Sequence, residues 1–145
     1  MTVKHFLFRL TSYVLISISG LHLVAQFAGR PAPTDATGRT LFDLMRTYHF
    51  DFFGLQRTMT DFLVGYSLSF VAFAFFVGVL NLAVLRFCGG DRAFIQTVLL
   101  VDILLAGVQF AISLRYFVHP PIISFGLAFV GFSATFFARD GAPAS

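Results

Sequence analysis

The chain contains no glutamate and no tryptophan, has a single cysteine, and carries charge on only 12% of its 145 residues. Each scarcity narrows the function. Without glutamate there is no glutamate pair for acid–base work. No nucleophile elbow, phosphate-binding loop or haem-attachment motif occurs either, so a hydrolase or kinase is not expected. Cys88 on its own forms no internal disulfide and no multi-cysteine metal site, and it reads as a small residue in a tight turn. With tryptophan absent, the interfacial aromatic positions fall to Tyr13 near one membrane boundary and to Tyr48, Tyr66 and Tyr116 near the other.

What is abundant is apolar. Hydrophobic residues make up 57% of the chain and aromatic residues 17%, and the mean hydropathy is +0.83. Soluble domains carry about 25% charged residues, so this composition is that of an integral membrane protein. The net charge of +3 is spread over the ends of the apolar runs rather than gathered on one face, and it calls for no nucleic-acid partner.

The expected fold is all-α: a membrane four-helix bundle forming one domain over 1–145, with spans at approximately 8–28, 61–85, 93–114 and 121–138. An extramembrane loop covers 29–60. The first run follows the basic Lys4, His5 and Arg9, as a signal peptide would. Ser19, His22 and Gln26 interrupt it, and no small-x-small pattern precedes Gly29, so it reads as a retained span. Residues 29–38, G-R-P-A-P-T-D-A-T-G, are a turn-rich linker. From 39 to 53, Leu41, Phe42, Leu44, Met45, Tyr48 and Phe52 recur at three- and four-residue steps among Arg39, Asp43, Arg46 and Asp51. That pattern predicts a short interfacial helix ended by Gly54.

Arg57 and Asp61 stand four apart where the chain enters the second span. On a helix they share a face and pair at the bilayer boundary. Gly65 and Ser69 form a small-xxx-small face inviting close helix approach. R-F-C-G-G-D-R at 86–92 makes a tight turn, so the second and third spans are antiparallel neighbours. R-Y-F-V-H-P-P at 115–121 makes another, with Pro120 and Pro121 opening the fourth helix. Lys4, Arg9, Arg86, Arg92 and Arg139 flank one side, and Arg30, Arg39, Arg46, Arg57 and Arg115 the other. The first span decides this balance and places both termini in the cytoplasm, with the protein in the inner membrane.

Two stretches, G-L-Q-R-T-M-T-D-F-L-V-G-Y-S-L at 54–68 and R-Y-F-V-H-P-P-I-I at 115–123, resemble a family of small bacterial four-span membrane proteins with no assigned activity. The likeness rests on an Arg-x-x-x-Asp-Phe-x-x-Gly step, here Arg57, Asp61, Phe62 and Gly65. It also rests on an Arg-aromatic-Phe-x-x-Pro turn, here Arg115, Phe117 and Pro120. The fourth span is richer in phenylalanine than is usual in that family. The resemblance implies the order of spans and brings no reaction with it.

Depth counting gathers polar groups at the loop end of the bundle: His22 and Gln26 leaving the first span, Arg57 and Asp61 entering the second, Gln109, Ser113 and Arg115 closing the third, His119 and Ser124 opening the fourth. Ser12, Ser19, His22 and Gln26 lie on one helical stripe, and Asp102, Gln109 and Ser113 on another. Such stripes face a bundle interior, because a central Asp in lipid costs about 2.5 to 3.5 kcal/mol. The opposite half holds little beyond Asn81, Gln96 and Ser133.

The expectation is a polar pocket open to the loop side, with His22, Gln26, Arg57, Asp61, Asp102, Gln109 and Arg115 as its ligand-binding residues. Asp102 would be bonded to Gln109 or His22. Three histidines and an aspartate lack zinc-binding spacing, and no particular cofactor follows from these residues. The leading reading is a non-enzymatic protein that binds a lipid-like or other hydrophobic small molecule, or an accessory subunit of a larger membrane complex. A quinone, sterol or pigment suits such a pocket equally. The alternatives are a membrane-embedded isomerase or reductase in which Asp102 and His22 exchange protons, and a proton or ion path in a homo-oligomer. Each residue also has a plain reading: a structural Arg57–Asp61 pair, a hydrogen-bonded interior His22, a packed Asp102.

Overall fold

In lipid a chain must satisfy its backbone internally, and an uncharged run does so as a helix. The computed structural model describes residues 2–29, 32–117 and 119–138; Arg30 and Arg139, counted above as flanking cations, lie outside them. The elements are α1 (Val3–Ala28), α2 (Ala36–Thr47), β1 (His49–Phe52), β2 (Leu55–Thr58), α3 (Met59–Cys88), α4 (Arg92–Tyr116) and α5 (His119–Phe137). Helices α1, α3, α4 and α5 are each long and apolar enough to cross a membrane, so the chain is a multi-pass membrane protein built of helices. The 30 residues of α3 rise about 45 Å, more than the roughly 30 Å of hydrocarbon.

The turns are tighter than the sequence implies. Arg86, Phe87 and Cys88 continue α3, and only 89–91 turn the chain. Asp91 caps α4, its side chain accepting from the Phe94 backbone N–H at 3.0 Å. Pro120 and Pro121 occupy the first turn of α5, where a missing N–H breaks no helical bond.

The stretch 39–53 is not one helix. Helix α2 stops at Thr47, where Tyr48 turns extended and its N–H bonds the Leu44 carbonyl. Beyond it the apolar residues alternate, Phe50 and Phe52 then Leu55, and a period of two builds strands rather than helix. Strands β1 and β2 pair antiparallel with His49 opposite Thr58, Phe50 opposite Arg57, Asp51 opposite Gln56 and Phe52 opposite Leu55.

The described residues fall into two compact units, one within 1–18 and 74–145, the other within 19–73. In the first, parts of α1 and α3 with all of α4 and α5 enclose a core of Phe8, Leu15, Leu85, Ile95, Leu99, Ala106, Ala128 and Phe132. Its buried positions recur at threes and fours: Ala74, Gly78, Asn81 and Leu85 on α3, Phe125, Ala128, Phe132 and Thr135 on α5. That is the spacing of knobs-into-holes packing.

Small residues set the helix separations. A Cβ on Gly78 would lie 2.7 Å from Ile16 Cγ1 and 2.9 Å from the Ser12 carbonyl oxygen. Helices α4 and α5 interlock reciprocally: Phe129 packs over Gly107 and Phe110 over Gly126, each 3.2 Å from where a Cβ would sit. Buried hydroxyls turn back on their own helices, Ser12 to the Phe8 carbonyl at 2.8 Å and Thr135 to the Gly131 carbonyl at 2.7 Å. Gly65, in contrast, has open space where its Cβ would be. The small face expected to draw another helix meets none there.

Candidate ligand-binding site

The second unit contains a cleft of about 960 Å³ between the end of α1, the linker, α2 and the start of α3. Small-molecule sites run from roughly 300 to 1,000 Å³, so it is large enough for a sizeable ligand. Helix α2 forms one wall, and its start is capped locally. The Asp35 carboxylate accepts from the Gly38 N–H at 2.7 Å, and Arg39 Nη1 donates to the Thr34 carbonyl at 3.2 Å. At the other end Thr60 Oγ1, on α3, donates to the Met45 carbonyl at 3.0 Å.

The orientation of α2 gives the cleft its chemistry. Arg39, Asp43 and Arg46, at steps of four and three, line the cleft with Phe42 and Met45, while Leu41 and Leu44 on the opposite flank are exposed. Arg39, Asp43 and Arg46 remain exposed at the open cleft, while Phe42 and Met45 are half-buried, so α2 presents an apolar strip with charges on one flank and the leucines on the other. From α1 come His22, Ala25 and Gln26, and from α3 Thr60, Val64 and Ser67. His22 Nε2 is hydrogen-bonded to Ser67 Oγ at 2.7 Å, and the imidazole stands edge-on to Phe70 with centroids 5.0 Å apart. This pair holds α1 against α3 and orients the ring. The site thus offers two guanidinium groups, a carboxylate, an imidazole, an amide and hydroxyls beside an apolar wall.

Of the seven residues expected at one pocket, His22 and Gln26 line the cleft. Arg57 and Asp61 do not share a helix face, because Arg57 belongs to β2. Its Nη1 donates to the Gln56 carbonyl at 2.8 Å. Asp61 is a capping residue: one carboxylate oxygen accepts from the Thr58 N–H at 2.8 Å and from Thr58 Oγ1 at 2.9 Å, and the Asp61 N–H returns to Thr58 Oγ1 at 3.2 Å. This is a capping box with aspartate as its acid.

Asp102, Gln109 and Arg115 belong to the first unit. Asp102 is bonded neither to Gln109 nor to His22. It accepts from Asn81 Nδ2 at 2.9 Å, the amide that depth counting placed in the apolar half. Ser12, Asp102 and Ser113 are buried as their stripes require, and Gln109 is half-buried. Arg115 is exposed over the Tyr116 ring at 5.9 Å. Among the described residues no three His, Cys, Asp or Glu side chains converge as metal ligands.

Arg39, Asp43, Arg46, Thr60 and Ser67 are the cleft residues that the sequence reading missed. The signal for the α2 residues was present in their helical spacing. Ser67 carried none, since only the tertiary structure sets it opposite His22. Comparison of the chain with protein-family models, curated proteins and solved structures finds no match in any of the three.

Proposed function

We propose that the protein is a non-enzymatic inner-membrane protein, with both termini cytoplasmic, that binds an amphiphilic, lipid-like molecule in the cleft between α1, α2 and α3. The observation that carries this reading is one cleft lined by the charged Arg39, Asp43 and Arg46, the polar His22, Gln26 and Ser67, and the apolar Phe42, Met45 and Val64. Accessible charges beside a half-buried apolar strip are well placed to hold a polar head group. Arg39 and Arg46 would grip its anionic oxygens, His22 and Gln26 would orient it, and Phe42, Met45 and Val64 would meet its apolar part. Arg57 and Arg115, expected among the ligand-binding residues, are not among those that line the cleft.

A proton-exchanging pair is not favoured, because His22 is engaged with Ser67 and Asp102 with Asn81. Membership of the bacterial four-span family stays part of the proposal, resting on its two short motifs.

The deciding experiment is native mass spectrometry of the full chain released from mild detergent, comparing wild type with Arg39→Ala/Arg46→Ala and His22→Ala. Wild type is expected to retain a small molecule that the double variant loses. Charge-assisted bonds of about 1.5 to 3 kcal/mol correspond to roughly ten- to a hundredfold in affinity. A wild-type protein that stays bare after re-extraction from total membrane lipid overturns the reading.

A further inference from the structure

The turn joining β1 to β2 is Phe53–Gly54, with φ of 54° and 82°. Two-residue hairpin turns with both φ positive select Asn-Gly or Asp-Gly, and a bulky aromatic there is strained. The Asp51 carboxylate holds the turn by accepting from the Gly54 N–H at 2.7 Å. The Phe53 side chain is 98% exposed.

The hairpin's placement shows where that ring goes. The pairing puts Phe50, Phe52, Leu55 and Arg57 on one face. Phe50 stacks on Phe62 at 5.2 Å, and Phe52 meets the same ring at 5.5 Å. Phe62 closes the first turn of α3 and follows Asp61, the last charge before the apolar run. Because Phe50 and Phe52 both touch this one ring, their face of the hairpin packs on the first turn of α3. It does not stand off from the helix end. Phe53, with its ring 5.8 Å from Phe52, is therefore close to the point where the apolar run of α3 begins.

We propose that the hairpin tip, Phe53 with Phe52 and Leu55, is seated in the interfacial layer of the bilayer that α3 spans, and that its partner is a phospholipid surface. Aromatic rings concentrate at that depth. Tyr66, one turn beyond Phe62 on α3, is exposed, as are Leu41 and Leu44 on α2. An apolar tip continuous with a span reaches its own membrane without any further component.

The chain has no tryptophan, so Phe53→Trp makes a single-site reporter, and Leu55→Trp a second just beyond the turn. Both residues are exposed, and neither change disturbs a packed core. The full chain is reconstituted into phosphatidylcholine vesicles with and without lipid brominated near the head-group end of its acyl chains. The expected result is blue-shifted emission, a strong loss with brominated lipid, and weak quenching by aqueous acrylamide. Emission typical of tryptophan in water, quenched by acrylamide alone, overturns the proposal. Emission shielded from both quenchers also overturns it and assigns the tip to a protein partner or a second copy of the chain.

Discussion

Asn81 and Asp102 are joined by an amide-to-carboxyl hydrogen bond of 2.9 Å in the interior of the first unit, where they are 2% and 5% exposed. The α3–α4 hairpin brings them together. Asn81 lies seven residues before Cys88 and Asp102 ten after Arg92, depths of about 10.5 and 15 Å that differ by less than one helical turn. Among neighbours such as Leu85, Leu99 and Ala106, this bond distinguishes one sliding register of α3 on α4 from the next.

Removing the donor leaves a buried carboxyl without its partner. Asn81→Leu is expected to lower stability in detergent by about 1 to 2 kcal/mol, near the upper end of polar contacts measured between membrane helices. Asn81→Leu/Asp102→Leu should recover most of that loss, because it strands no polar group. Denaturant titration of helix content gives both values. A double variant as unstable as the single one would mean that Asp102 has another role in folding.

Two glycines on α3 should respond oppositely to the same change. Gly78→Ala drives a methyl group into Ile16 and the Ser12 carbonyl, and overpacking of this kind costs about 1 to 3 kcal/mol. Gly65→Ala meets open space and gains helix propensity, so it should be neutral or slightly stabilising. Thermal melts in one detergent compare the pair directly.

The start of α3 depends on the reciprocal Thr58–Asp61 bonds. Asp61→Ala should cost about 0.5 to 2 kcal/mol, while Asp61→Glu, which restores the usual acid of a capping box, should cost less. Arg57→Ala should leave helix content unchanged, because Asp61 takes its hydrogen bonds from Thr58. Circular dichroism across a denaturant series separates the three. An Arg57→Ala loss as large as that of Asp61→Ala would restore the ion-pair interpretation.

Phe53→Asn puts the preferred residue into a turn with positive φ and should stabilise the hairpin by about 1 kcal/mol in detergent. Hydrogen exchange at the β1–β2 amides reads this gain. Faster exchange in the variant would show that the phenylalanine ring, not the backbone, holds the turn.

The sequence by itself determined the membrane class, the four helices and their order, because predominantly apolar runs of this length form helices in lipid. Periodicity alone also placed Ser12, Asp102 and Ser113 toward the interior. Local chemistry misled where two periods compete over a short stretch. The residues 39–53 satisfy a helical pattern until Tyr48, and the four-residue strands beyond it are too short for their alternation to stand out. The Arg57–Asp61 spacing implied a shared face only on the assumption of helix, and β2 removes that assumption.

Partners across elements were decided by tertiary structure alone. Depth counting resolves position along a helix but not rotation about it. It therefore put Asp102 with Gln109 or His22 rather than with Asn81, and left Ser67 unnoticed opposite His22. The cleft was equally out of reach, since the spacing of Arg39, Asp43 and Arg46 marks one stripe of α2 without saying which side faces in. That choice is made between elements, by contacts such as Thr60 on the Met45 carbonyl, which leave Phe42 and Met45 half-buried and the charges and leucines exposed on either flank.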